Sequence, residues 1–315
     1  MKLRFGARGS ALAKWQTLHI ADRLKALMCD VEIEQVEITS TGDRIQDVPL
    51  SQVEGTGFFT AAIQDALLRG EVDVAVHSYK DLPVEPIEGL VVAAVPARGP
   101  VADVLCARDG MTLTALPHGA RIGTCSARRT AQLRLVRDDL EIVSLRGNVP
   151  TRIARVGADL DAIVLARAGL VRLGLEQAIT EIFAFERMLP APAQGALAVE
   201  CRRADEAVYR CLALLNDTDT ARAVAAERAM LHALGGGCSV PVGATSRVEA
   251  GCIHLSGGVF GLKTRRSAHV NVVGQEPVAV GELAAARLLE AGALRILEEF
   301  DAPIATLATA VDLRA

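Results

Sequence analysis

Aromatic side chains are scarce in this sequence: one Trp, two Tyr and seven Phe make up 3% of 315 residues. That leaves little from which to build a stacking surface for single-stranded nucleic acid. Lysine is rare too, five of 34 basic residues, the other 29 being arginine. A formal net charge of −4 argues against a general polyanion binder. Arginine, however, offers a planar, permanently charged fork that fits carboxylate and phosphate, so where the arginines cluster matters more than their sum. Cysteine pairs are missing. The seven cysteines, at 29, 106, 125, 201, 211, 238 and 252, are odd in number, widely spaced and without a C-x-x-C pair. Neither a disulfide framework nor a zinc site is indicated, which fits a reducing cytoplasm. The N-terminus has no continuous apolar run of the secretory kind. The uncharged stretch Ala229 to Ser246 is interrupted by His232, three glycines and Pro241, so it makes a poor membrane span. No lysine follows a glycine and no strand carries G-x-G-x-x-G, which argues against standard nucleotide binding; the six histidines lack zinc-protease spacing.

What is present is a large apolar fraction, half of all residues, mostly Ala, Val and Leu. Such a composition fits helices packed on parallel sheet, and the length suits two domains or three small ones. Strands are expected at 3–6, 31–39 (with an irregularity near Gln35), 73–78, 90–95, 104–106, 121–123, 142–145, 162–165, 196–201, 253–259 and 267–273. Helices are expected at 11–28, 58–68, 127–136, 149–156, near 174, 220–234 and 282–300. The segment Ser40 to Gly57 has no period and four Gly or Pro, so it reads as a long loop of the lid type. Pro96 to Pro100 reads as a linker, and the strand at 196–201 as a return to the first domain.

One stretch organises the rest: Asp73-Val74-Ala75-Val76-His77-Ser78-Tyr79-Lys80-Asp81-Leu82-Pro83. A buried strand runs into a polar cluster and then a proline, delivering Ser78, Lys80 and Asp81 to a sheet edge, where ligands of open α/β sheets bind. Taken alone, Lys80 beside Asp81 reads first as an ordinary solvated ion pair at a strand end.

Arginines coincide with helix starts in Gly123-Thr124-Cys125-Ser126-Ala127-Arg128-Arg129 and in Leu145-Arg146-Gly147-Asn148-Val149-Pro150-Thr151-Arg152. In each, a strand ends in a glycine turn and Thr124, Ser126 or Asn148 can cap the helix. Positive side chains there oppose the helix dipole, costing several tenths of a kcal/mol or so each, unless an anion is present. Arg8, ahead of Ser10, is a third such place. Either these arginines reach water and acidic neighbours, or together they hold a polyanion, with carboxylates the better guess. Cys238 follows Gly235-Gly236-Gly237, which lets the backbone approach a ligand closely and leaves a thiol accessible for covalent attachment. The other six cysteines read as small buried hydrophobes.

These residues resemble those of the porphobilinogen deaminase (hydroxymethylbilane synthase) family. The similarity covers Arg8-Gly9-Ser10, Thr41-Gly42-Asp43, Val76 to Pro83, Gly123 to Arg129, Leu145 to Asn148, Thr151-Arg152, Ala168-Gly169-Leu170, Pro190 to Ala196, Ala226-Glu227-Arg228 and Gly236 to Pro241. The resemblance implies an α/β fold of two periplasmic-binding-protein-like lobes around a cleft, plus a small C-terminal α+β domain. The first lobe would be 1–99 with 196–216, carrying the lid at about 40–57. The second would be 103–190, and 218–315 the cofactor-attachment domain. It implies a dipyrromethane cofactor on Cys238 through a thioether and Asp81 as the catalytic residue. Carboxylate binding would fall to Arg8, Ser10, Ser78, Lys80, Thr124, Ser126, Arg128, Arg129, Arg146, Arg152, Arg172 and Gln194, with Asp43, Thr56 and Phe59 in the lid. No metal is implied.

The implied reaction deaminates four porphobilinogen molecules, couples them head to tail and releases linear hydroxymethylbilane. A cytoplasmic monomer that hands its product to a uroporphyrinogen III synthase is implied as well. The sequence departs from the family at Thr56 and Ala61, where lid lysines are usual, at Ala102, where an arginine is common, and at Pro192-Ala193 in place of Val-Gly. Two other readings are a non-catalytic binder of polycarboxylates or tetrapyrrole precursors, which would need neither Asp81 nor Cys238, and a Schiff-base enzyme using Lys80. Asp81 would tend to keep that amine protonated.

Overall fold

A computed structural model describes residues 1–38, 60–236 and 240–300. The lid at 40–57, with Asp43 and Thr56, lies outside the described residues, as do Phe59 and Cys238. The chain opens with β1 (Lys2–Ala7), which buries Leu3 and Phe5. It turns at Gly9 into α1 (Ala11–Leu27), where the Ser10 hydroxyl accepts from the Ala13 N–H at 3.2 Å. That bond satisfies one of the donors a helix start leaves open. β2 (Glu32–Glu37) pairs parallel to β1 in unbroken register. The irregularity expected near Gln35 is therefore no bulge; Ile33 and Val36 are only half-buried because β2 is an edge strand. α2 (Ala61–Leu68) ends before Gly70, whose φ of 71° suits glycine. β3 (Val74–Ser78) and β4 (Leu90–Ala94) follow.

Next come β5 (Asp103–Ala107), β6 (Arg121–Gly123), α3 (Ala127–Val136), β7 (Glu141–Val143) and α4 (Val149–Ile153). β8 (Ala162–Ala166), α5 (Arg167–Leu173), β9 (Glu181–Ile182) and β10 (Leu197–Arg202) continue the chain. It then forms α6 (Glu206–Ala213), α7 (Thr218–Ala233), β11 (Val242–Glu249), β12 (Cys252–Phe260), β13 (Ser267–Gly274), α8 (Pro277–Glu290) and α9 (Ala293–Leu297). α6 and β11 are absent from the sequence expectations. α6 is short, with Asp205 accepting from the Val208 N–H, and β11 reads as too polar for a strand. The single helix expected at 282–300 starts earlier, at Pro277, and is broken by Gly292 at φ 91°. α4 stops at Ile153 rather than 156.

Two sheets of five strands share one plan. The first has the order β2-β1-β3-β10-β4 and the second β7-β6-β8-β5-β9, each with one antiparallel strand inserted beside parallel ones. β10 thus returns to the first sheet, as its sequence suggested. Strand alternation supplies a core on both faces: Val74 and Val76 join one cluster and Ala75 another, while Leu105 and Val104 divide likewise. A third sheet, β11-β12-β13, is antiparallel and packs α7 and α8 through Met230, Ile253, Leu255 and Leu288.

The chain divides into two compact units. One comprises Met1–Gly99, Val171–Gly174 and Gly195–Ala221; the other comprises Pro100–Leu170, Leu175–Gln194 and Arg222–Ala315.

Candidate active site

In the first unit, β1 and β3 are adjacent and parallel, so the turns that follow them leave the same sheet edge. The turn after β1 carries Arg8 and Ser10, both half-buried. After β3 the chain makes one tight 3-10 turn, Tyr79–Asp81, before Leu82. The Tyr79 N–H donates to the Ala196 carbonyl at 3.0 Å and the Gln16 amide to the Ser78 hydroxyl at 2.7 Å. With Leu82 buried beyond it, the turn is held at both ends while the Asp81 residue stays exposed. Lys80 is half-buried on the same turn.

Arg172 belongs to this unit. Its Nη2 donates to the Gly195 carbonyl at 2.7 Å, and its guanidinium lies 5.8 Å from the centre of the Trp15 ring, which stacks on His19. Burial pushes Arg172 down to about 10, and the charge of Asp81 opposes that fall. A desolvated but still cationic fork near a carboxylate attracts anions more strongly than a hydrated one.

The opposite end of β3 is anchored by Asp73, which accepts from the backbone N–H, Nε and Nη2 of Arg4 and from Nη2 of Arg202. Burial alone would raise this carboxyl, yet the hydrogen bonds from Arg4 and Arg202 hold it at about 2. A folded value below the unfolded one, near 3.9, contributes stability above that unfolded value and loses it as pH falls through about 2. Asp73→Asn is therefore expected to lower stability at neutral pH and flatten the loss of stability between about pH 4 and 2, measured by urea unfolding across that range.

In the second unit the buried centre is Asp103, fully inaccessible at the start of β5. Its Oδ2 accepts from Arg128 Nη1 at 2.7 Å; its Oδ1 accepts from Arg129 Nη2 at 2.7 Å and from Gln194 Nε2 at 3.0 Å. Arg128 also donates to the Leu189 carbonyl and Arg129 to that of Val164. Burial pushes the Arg128 guanidinium below its ordinary value, and Asp103 pulls it back. The sequence marks these two arginines as anion binders; in the fold their forks engage an internal carboxylate. Ser126 caps α3 through the Arg129 N–H, and Thr124 Oγ1 accepts from the Ser126 N–H. Beyond the neighbouring β7, Arg152 Nε on α4 donates to the Gly147 carbonyl, while Arg146 Nη2 in the preceding turn is buried with no hydrogen-bond partner.

Sequence reasoning missed Asp103, whose signal was an acidic residue opening an otherwise apolar strand. It also gave no role to Glu227, buried on α7, which accepts from the Ala193 N–H at 2.6 Å and the Ser246 hydroxyl at 2.8 Å. Ala193 sits at φ 62°, a region that costs a residue with a Cβ about 1–2 kcal/mol. Glycine there would relieve that strain. It would also lose about 0.8 kcal/mol of methyl burial and add unfolded-state freedom, so Pro192-Ala193 is a nearly neutral variation. Among the described residues, no group of three or more His, Cys, Asp or Glu could hold a metal ion. None of the described helices is long and apolar enough to cross a membrane.

Residues 3–210 match the family model for porphobilinogen deaminase, dipyromethane cofactor binding domain, and residues 221–290 that for porphobilinogen deaminase, C-terminal domain. The porphobilinogen deaminase of Natranaerobius thermophilus is 42% identical over 307 residues, spanning 95% of this chain and 99% of its own. That of Acidothermus cellulolyticus is 48% identical over 303 residues, spanning 94% and 91%. Among solved structures, a periplasmic binding protein of Salmonella typhimurium with high arginine specificity aligns with a TM-score of 0.39 at 15% identity, covering 70% of this chain and 93% of its own. The two five-stranded sheets, with polar turns at the ends of their parallel strands, define a mixed α/β protein with a ligand-type sheet edge. The matches decide the family: the chain belongs to the porphobilinogen deaminases.

Proposed function

We propose that this chain is a transferase that deaminates porphobilinogen and couples four molecules head to tail onto a dipyrromethane held by Cys238 through a thioether, releasing linear hydroxymethylbilane. The observation that carries the reading is Asp81, held on a fixed turn beside a desolvated Arg172, within a chain that matches the family over both its parts. The residues present fit a cofactor bearing several carboxylates. Arg146 keeps a buried donor without a partner, which a bound carboxylate would satisfy, and Arg172 keeps its charge under burial.

When bound, the dipyrromethane supplies a free pyrrole α-carbon as the first nucleophile. Asp81 accepts a hydrogen bond from the pyrrole N–H of the incoming substrate. Its charge stabilises the methylene cation left on the ring when the amino group of the aminomethyl arm departs as ammonia. Carbon–carbon bond formation would pass the positive charge to the attacking ring, whose own α-proton would then leave to water and restore aromaticity. Arg8, Arg146, Arg152 and Arg172 bind acetate and propionate groups, with Ser10, Ser78, Lys80, Thr124 and Ser126 as further donors. Arg128, Arg129 and Gln194 act with Asp103, keeping the end of the second sheet cationic. The lid at 40–57, with Asp43, Thr56 and Phe59, shields the cation from water. The division into lobes at 1–99 with 196–216, 103–190 and 218–315 serves this scheme, in a cytoplasmic monomer that passes its product to a uroporphyrinogen III synthase.

Intact-mass measurement with a peptide map around Cys238 tests the reading. The expected result is an increment of two porphobilinogen-derived units, absent in Cys238→Ser. An unmodified Cys238 after incubation with porphobilinogen or preformed hydroxymethylbilane would instead indicate a binding protein.

A further inference from the structure

We infer that Arg167, which no sequence motif singled out, is a further carboxylate-binding residue for the growing polypyrrole; the inference rests on the deaminase reading above. Arg167 directly follows β8, and its backbone N–H donates to the Ala102 carbonyl at 3.0 Å. Its side-chain Nε is buried and has no hydrogen-bond partner. The acceptor closest in the fold's own plan is Asp103, which lies opposite Ala166 across the β5–β8 pairing. That carboxylate is already taken. One oxygen receives Arg128, and the other receives Arg129 through both Nε and Nη2 as well as Gln194.

A second buried, unpartnered guanidinium nitrogen in the same unit belongs to Arg146, three residues beyond β7. β7, β6 and β8 are adjacent and parallel, so Arg146 and Arg167 leave one sheet edge on either side of the Thr124–Ser126 turn. Two arginines at this edge, Arg128 and Arg129, thus engage the buried carboxylate, and two more, Arg146 and Arg167, keep a buried donor unpaired. A buried donor without an acceptor is unfavourable, and a fold that keeps two of them at one edge is suited to a ligand that brings at least two anionic groups. Each porphobilinogen-derived unit carries two carboxylates. Arg146 accounts for one and Arg167 for another, and a guanidinium–carboxylate contact is a strong, charge-assisted one.

The test compares wild-type holoprotein with Arg167→Met and Arg167→Lys by steady-state kinetics, thermal melting, and intact-mass distribution of chains carrying one to three extra units. Arg167→Met is expected to raise KM for porphobilinogen about tenfold or more, with kcat changed far less. At a fixed substrate concentration its mass distribution should shift toward fewer added units. Its melting temperature should hold or rise, because an unsatisfied buried donor has been removed, and Arg167→Lys should recover part of the KM. Unchanged KM and mass distribution in Arg167→Met would overturn the assignment while leaving the deaminase reading intact. So would a melting temperature several degrees lower without a KM change, or failure of Arg167→Met to fold, since either makes the arginine structural. A wild-type protein that carries no adduct and consumes no porphobilinogen overturns the deaminase reading, and this assignment with it.

Discussion

Asp81→Ala is expected to lower kcat by about a thousandfold or more while leaving the two-unit adduct on Cys238 largely in place. The size follows from what the carboxylate does. A positioned acid, base or charge aimed at the transition state contributes on the order of 10²–10⁴-fold, and in the proposed mechanism one group would both hold the pyrrole N–H and face the developing cation. The backbone that carries it is fixed independently of the carboxylate, by Tyr79 bonded to Ala196 and by the buried Leu82. Loss of the side chain should therefore leave the turn in place. Melting temperature close to that of the wild type, an adduct visible by mass and turnover lowered to that extent together make the expected result. Unchanged turnover would remove Asp81 from the mechanism. Asp81→Asn separates its two roles, because the amide keeps a hydrogen-bond acceptor and discards the charge.

Asp103→Ala is expected to cost about 3–5 kcal/mol of stability, the effect of removing one partner from a buried ion pair. Here two guanidinium groups, Arg128 and Arg129, would be stranded at once, along with the Gln194 amide. Trp15, the one tryptophan, lies in the other unit, so its fluorescence is a poor reporter. Hydrogen exchange of the amides in 121–133 and 162–166 reads the second sheet directly, and these should lose protection together. Protection equal to that of the wild type would mean that the arginines find other partners and that Asp103 is not their anchor.

The positions of α1, α3 and the strands around them are legible in the sequence because their signals are local: Ser10 and Ser126 cap, apolar residues alternate, and glycines stop what precedes them. Asp81, Cys238 and most arginines are legible as a pattern, although their use depended on the family likeness. What stays hidden depends on partners far along the chain. Nothing near Arg128 or Arg129 tells that Asp103, some 25 residues earlier, holds them. Nothing near Arg167 tells that its natural acceptor is occupied. β11 went unread because its burial comes from packing against other elements, with too little alternation of its own, and α6 because, although amphipathic, it spans only Glu206–Ala213.

The insertion of β10 between β3 and β4 bears on how the protein is made. A ribosome delivers β3 and β4 more than a hundred residues before the strand that joins them. Until then both present unpaired backbone, the kind of edge that recruits other chains. The first sheet can close only after most of the second sheet's sequence has emerged, so the N-terminal sheet is completed late in synthesis. Its long sequence separations make it the slower one to form. A chain interrupted before Leu197 would release a polypeptide with a missing central strand, a natural substrate for chaperones and proteases.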